Sequence, residues 1–211
     1  MGARSLPKLR PHVVRLAVAG VAVALAGGGL PAAARGQAQQ RPNILLLYVD
    51  DLRHDGLGVT GHPFVDTPNL DNRIAGQGVN FVNSFVNCPL CSPSRASLMT
   101  GQYAITHGLN VNDDINGVPD ERLPIYQKTL QAAGYRTGLV GKWHMDSYFE
   151  PREGFDYWAA FQGQGTHLDP TLRVKQDDAP VRTVNEKGFT TSILTEYALD
   201  FLNDYGPGGS R

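Results

Sequence analysis

The chain has 211 residues, of which 41% are hydrophobic and 18% charged, with 19 Lys and Arg against 20 Asp and Glu. That length suits one ordinary domain with a sizeable core, and the composition is globular, which excludes a disordered chain. The charge balance gives no basic surface for nucleic acid, so an anionic partner has to be drawn by a local site and not by the overall field.

The first forty residues differ from the rest. Arg4, Lys8, Arg10 and Arg15 precede an apolar run over 16–30. Ala32-Ala33-Ala34 and Gly36-Gln37-Ala38 then offer two small-x-small sites. The pattern predicts a secretory signal peptide over 1–40 and a periplasmic or secreted protein. The run is short and rich in Ala and Gly, which argues against a membrane anchor. Residues 1–40 carry five cations and no acid, so 41–211 holds 14 cations against 20 acids, net −6 with His neutral.

The continuous apolar run over 44–49 predicts a strand buried on both faces, hence a parallel sheet. It ends in Asp50-Asp51. In open α/β sheets, ligands bind beyond the carboxyl ends of strands. Two adjacent carboxylates there repel each other, and a divalent cation with a taste for hard oxygen, calcium or magnesium, relieves that. Asp55-Gly56 suggests a turn. Thr67-Pro68 opens a short helix through Leu70, Ile74 and Ala75, stopped by Gly76 and Gly78. Residues 79–86 predict a second strand that delivers the chain to Cys88 and Cys91.

Cys91 opens the most informative stretch. Ser92 suits an N-cap, Pro93 the first turn and Gly101 the stop, which predicts a helix starting beside Cys91. Its free N–H groups and dipole favour an anion, and Arg95, one turn on, faces back toward Cys91. A nucleophile beside a fixed cation suits attack on a negatively charged ester. Cys88 and Cys91 also form a C-x-x-C pair, so a disulfide or a thioredoxin-like dithiol stays open; zinc would need further ligands.

After Gly101 comes a polar loop with Asn110, Asn112, Asp113, Asp114 and Asn116. It does not meet the EF-hand pattern and reads as surface; His107 is assigned no role. Residues 125–133 predict a helix ended by Gly134. Residues 135–140 predict another buried strand. Lys142 and His144 leave its end with i, i+2 spacing and share a side if strand geometry continues. The aromatics Phe155, Tyr157, Trp158 and Phe161 read as packing ahead of sugar stacking. Residues 190–203 predict an amphipathic helix with Ile193, Leu194, Tyr197, Ala198, Phe201 and Leu202 on one stripe.

Three of these strings together resemble the type I sulfatases of the alkaline-phosphatase superfamily. Cys91-x-Pro93-Ser94-Arg95, four residues, then Thr100-Gly101 resembles the family's modification motif. Gly134-Tyr135-x-Thr137-x-x-x-Gly141-Lys142-Trp143-His144 resembles its second signature. Asp50-Asp51 resembles its metal-binding pair. The run over 154–165, with Gly163-Gln164-Gly165, is similar to the carbohydrate-directed branch that includes N-acetylglucosamine-6-sulfatase.

The resemblance implies an α/β fold, a mixed, largely parallel sheet flanked by helices. It implies hydrolysis of sulfate monoesters, carbohydrate ones first, with Cys91 converted to Cα-formylglycine as nucleophile. Arg95, Lys142 and His144 would then be catalytic, with Asp50, Asp51 and the modified Cys91 on calcium, or magnesium. The implied partners are a sulfated small molecule or glycan and the enzyme that installs formylglycine, with no nucleic acid. The resemblance runs over 42–205, whereas family members are more than twice as long. Residues 41–211 are therefore expected to be the N-terminal part of a catalytic domain, inactive alone. Rival readings are a phosphonate or phosphodiester hydrolase of the same superfamily, a noncatalytic calcium- and glycan-binding protein, and an exported dithiol protein.

Overall fold

The computed structural model describes residues 41–112, 123–145, 149–207 and 209. The expected signal peptide over 1–40 and the Asp113, Asp114 and Asn116 part of the polar loop lie outside these. The chain divides into two units, 1–47 and 48–211.

In the first unit the described part, 41–47, forms no strand, and Ile44 to Leu47 are exposed. In the second unit Tyr48 and Val49 are likewise exposed coil. The strand expected over 44–49 is therefore not formed. An apolar run becomes a doubly buried strand only when neighbours pair with its backbone on both edges. In the described sheet β1 pairs only with β2, and no further strand is added at its other edge. The strand expected over 79–86 fails for the same reason, with Phe81, Val82 and Phe85 largely exposed.

The described residues of the second unit form four α-helices: α1 (Cys91–Thr100), α2 (Ala104–His107), α3 (Tyr126–Ala132) and α4 (Thr190–Tyr205). They also form four strands: β1 (Gly138–Lys142), β2 (Tyr157–Phe161), β3 (Thr171–Gln176) and β4 (Arg182–Asn185). A π-helical turn at Leu70–Ala75 stands where the 67–76 helix was expected, and it is held by Thr67 and Asp71. The strands lie in the order β1-β2-β3-β4, with β1 parallel to β2 and the other two pairs antiparallel. The expected mixed α/β architecture is present, and among the described strands its parallel part is the β1–β2 pair.

Strand alternation gives the sheet two apolar faces. Tyr157, Ala159, Leu172 and Val174 face α4, where Ile193, Leu194, Tyr197 and Phe201 pack on them. The predicted stripe holds for these four, while Leu202 turns outward. Contact is close: a Cβ on Gly138 would stand 2.8 Å from the Phe201 ring. The other face carries Leu139, Trp158 and Ala160, covered by Ala96 of α1 and by Leu109, Leu123, Ile125, Trp143 and Phe155. Trp143, Phe155 and Trp158 form a three-ring cluster with centroids 5.4–5.9 Å apart. Phe155, Tyr157 and Trp158 thus serve packing. This second core fixes α1 against the end of β1.

Candidate active site

α1 begins at Cys91, with Leu90 before it in an extended conformation. Ser92 is not the N-cap. It lies inside the first turn, buried, and Leu90 offers no side-chain cap. Asn112 Oδ1 performs that task from twenty residues downstream, accepting the Ser92 N–H at 2.9 Å. Gly101 closes the helix as expected, with φ +68, a left-handed conformation that costs glycine little.

Gly141, at φ +116, turns β1 at its end. Arg95 Nη1 donates to the Lys142 carbonyl at 2.6 Å and so ties α1 to that strand end. Four of the six sequence-predicted site residues then meet. Lys142 Nζ donates to Asp50 Oδ2 at 2.5 Å and lies 3.5 Å from Cys91 Sγ. Arg95 Nη2 donates to the same Asp50 oxygen at 3.2 Å, and Cys91 Sγ stands 3.8 Å from Asp50 Oδ1. The Lys142 and Arg95 side chains are each 8% exposed, against 38% for Asp50. Burial pushes the Asp50 carboxyl up, but Lys142 and Arg95 outweigh it and hold the carboxyl below the ordinary carboxylate range.

Asp51 and His144 are placed differently. Asp51 is exposed and makes no hydrogen bond or ion pair among the described residues. His144 is buried, and strand geometry does not continue to it, so the expected i, i+2 alternation with Lys142 does not apply. Both have left-handed φ, +53 and +52. Non-glycine residues held there cost of order 1–3 kcal/mol and cluster at functional sites.

Three supporting residues were not legible as such. Tyr48 places its ring 5.2 Å from the Arg95 guanidinium and its hydroxyl 2.6 Å from Ser94 Oγ. Gln164, from the loop after β2, offers Oε1 to Lys142 Nζ. Asn112 caps α1. Only Gln164 had a local signal, its place between two glycines. His107, left without a role, is buried: its Nδ1 accepts the Leu109 N–H at 3.1 Å, and its Nε2 lies 3.0 Å from Ser97 Oγ. Nε2 therefore carries the proton and joins α2 to α1. Burial pushes the His107 pKa below its ordinary value.

Cys88 and Cys91 are both free thiols, so the disulfide alternative is not formed. A metal fits only in part. Asp50 and Asp51 offer oxygen donors of the right hardness, but calcium takes six to eight. Among the described residues no group of three or more His, Cys, Asp or Glu could hold an ion. An ion at Asp50 would also compete with Lys142 and Arg95.

A sulfatase family model matches residues 42–207. The chain belongs to the sulfatase family. This sulfatase chain is 34% identical to an N-acetylglucosamine-6-O-sulfatase of Bacteroides thetaiotaomicron, over 95% of the chain and 33% of the relative. It is 37% identical to the human N-acetylgalactosamine-6-sulfatase, over 78% of the chain and 37% of the relative. Among solved structures it is similar to a protein in complex with its substrate D-glucosamine-2-N,6-O-disulfate, with TM-score 0.66 and 33% identity over 77% of the chain and 31% of that protein. The sulfatase chain thus spans about a third of the length of these relatives. Among its described residues no helix is long and apolar enough to cross a membrane.

Proposed function

We propose that the protein hydrolyses sulfate monoesters of carbohydrates, with the residue at position 91 as nucleophile. The observation that carries the reading is the position of Cys91 at the mouth of α1, 3.5 Å from Lys142 Nζ and beside Asp50. Two buried cations and a helix N-terminus favour an anionic group there and stabilise the charge that grows as an S–O bond breaks. The names of the relatives support a sulfated amino sugar as substrate.

Oxidised to Cα-formylglycine by an installing enzyme, position 91 would offer a hydrated aldehyde, with one hydroxyl for attack on sulfur and a second for release of sulfate. Lys142 holds a sulfate oxygen or the oxygen at position 91. Arg95 orients that oxygen and is itself held by the Lys142 carbonyl and the Tyr48 ring. His144 serves as base or donor when the hydrate collapses. Asp50 and Asp51 would supply part of a calcium or magnesium site that the described residues do not complete. Export through the leader over 1–40 is part of the same proposal.

The test is Cys91→Ser in the full-length protein, assayed on a 6-sulfated N-acetylhexosamine. Turnover is expected to vanish, and a sulfated protein is expected by intact mass, because serine has no second hydroxyl for release. Unchanged turnover would overturn the reading. Faster cleavage of phosphate diesters than of sulfate esters by the unmutated protein would favour the phosphodiesterase rival.

A further inference from the structure

A groove of about 460 Å³ lies on the sheet face away from α4, remote from Cys91. Its walls come from three elements: Lys128 of α3, Arg152 and Glu153 of the loop before β2, and Lys175 of β3, with Phe155 at its base. The volume falls within the range of ligand pockets, about 300–1,000 Å³.

The topology gives the separation from Cys91. β1 and β2 are parallel, with Gly138 opposite Tyr157 and Lys142 opposite Phe161. Lys142 stands at the carboxyl end of this pair, and Phe155 precedes its amino end. At ~3.3 Å per residue, Phe155 lies about 20 Å and Lys175, opposite Trp158, about 10 Å from the level of Lys142 along the strands.

The charges set the class of ligand. Among the described lining residues three cations face one acid, in a chain whose 41–211 part is net acidic. Glu153 is paired with Lys128 at 2.9 Å. Lys175 has no ion-pair or hydrogen-bond partner among the described residues, yet it is half-buried opposite Trp158. Leu172 and Val174 point to α4, so alternation sends Lys175 to the groove face. An ammonium without a partner on a part-buried side chain, in one groove with the Lys128 ammonium and the Arg152 guanidinium, is an arrangement that a sulfate or other strong anion satisfies. The cations are spread over three elements, which suits a ligand with several anionic groups better than a single ion.

We propose that this groove is a second glycan site that holds a sulfated unit of an oligosaccharide while an ester is cleaved at Cys91. The proposal rests on the substrate class read above. The test uses the full-length protein and a heparin-derived hexasaccharide, beside its desulfated counterpart and inorganic sulfate, in calorimetry at about 0.1 M salt, where exposed charges are screened beyond ~10 Å.

The sulfated hexasaccharide is expected to bind, and the other two to bind at least tenfold more weakly. Lys175→Glu is expected to weaken hexasaccharide binding at least fivefold, while turnover of a sulfated monosaccharide and the melting temperature stay unchanged. Cys91→Ala is expected to leave the Lys175-dependent binding in place. Hexasaccharide affinity that ignores Lys175→Glu, or inorganic sulfate that binds as tightly as the hexasaccharide, would overturn the second site. Absence of turnover with Lys175-dependent binding intact would instead overturn the hydrolase reading alone.

Discussion

Asp50 is the residue on which the cluster turns, because both buried cations reach it. Its carboxyl is held below the ordinary value by Lys142 and Arg95 against the upward push of burial. A carboxyl lowered on folding adds stability above its unfolded pKa of about 4, and that stability is lost as pH falls through the folded value. The melting temperature of Asp50→Asn is therefore expected to lie below that of the unmutated protein at neutral pH. The gap is expected to close on acidification below about pH 4. A gap that stays constant with pH would show that the pairs do not act through the ionised carboxylate.

His107 has its own, separate window. Its pKa is lowered by burial, so the neutral ring is the folded form. Its contribution is full above about pH 6.5 and is lost as pH falls through the folded value. His107→Gln keeps a donor toward Ser97 and removes the titration. Thermal melts of this variant are expected to be flatter than those of the unmutated protein between about pH 6.5 and 5.

At the scale of the element, α1 works as a platform because its two ends are fixed by different means. Its carboxyl end is fixed by backbone conformation. A Cβ on Gly101 would meet nothing within 4 Å, so the cost of Gly101→Ala is that of the left-handed backbone alone, ~1–2 kcal/mol. Gly101→Asn is expected to cost less, since Asn tolerates that region. Denaturant melts of the two variants check this ordering. The amino end is fixed by Asn112, and Asn112→Leu removes the acceptor of the Ser92 N–H. A loss of ~1 kcal/mol is expected. A fall in kcat larger than any rise in KM is also expected, because the displaced group is the proposed nucleophile and not a substrate-binding contact. β1 and α4 show the opposite regime: Gly138→Leu would drive a side chain into the Phe201 ring and destabilise by about 1–3 kcal/mol.

For the molecule as a whole, the notable surface is apolar. Phe85 is 92% exposed and Phe64 86%, and residues 79–86 present five large apolar side chains more than half exposed. Monomeric proteins rarely leave such contiguous patches open. Residues 41–211 are expected to bind an apolar dye strongly, because these side chains stand open to solvent. Dye fluorescence no higher than that of a compact globular control would contradict this.

What local sequence determined is α1, α3, β1, α4 and the residues at their ends. The stop of α1 at Gly101, the stripe of Ile193, Leu194, Tyr197 and Phe201, and the placing of Lys142 at the end of a buried strand all follow from neighbours within a few turns. The family resemblance adds the site roles of Asp50, Asp51, Cys91, Arg95, Lys142 and His144, and the tertiary structure brings four of these side chains, Asp50, Cys91, Arg95 and Lys142, into contact. The structure alone decided that 44–49 and 79–86 form no strand here, because strand formation depends on partners for the backbone and not on the hydropathy of the segment. It alone decided that Asn112 caps α1, that Gln164 meets Lys142, and that Lys175 faces a cationic groove. The first two of those contacts join residues 20 and 22 positions apart, and no local pattern encodes which loop returns to which helix.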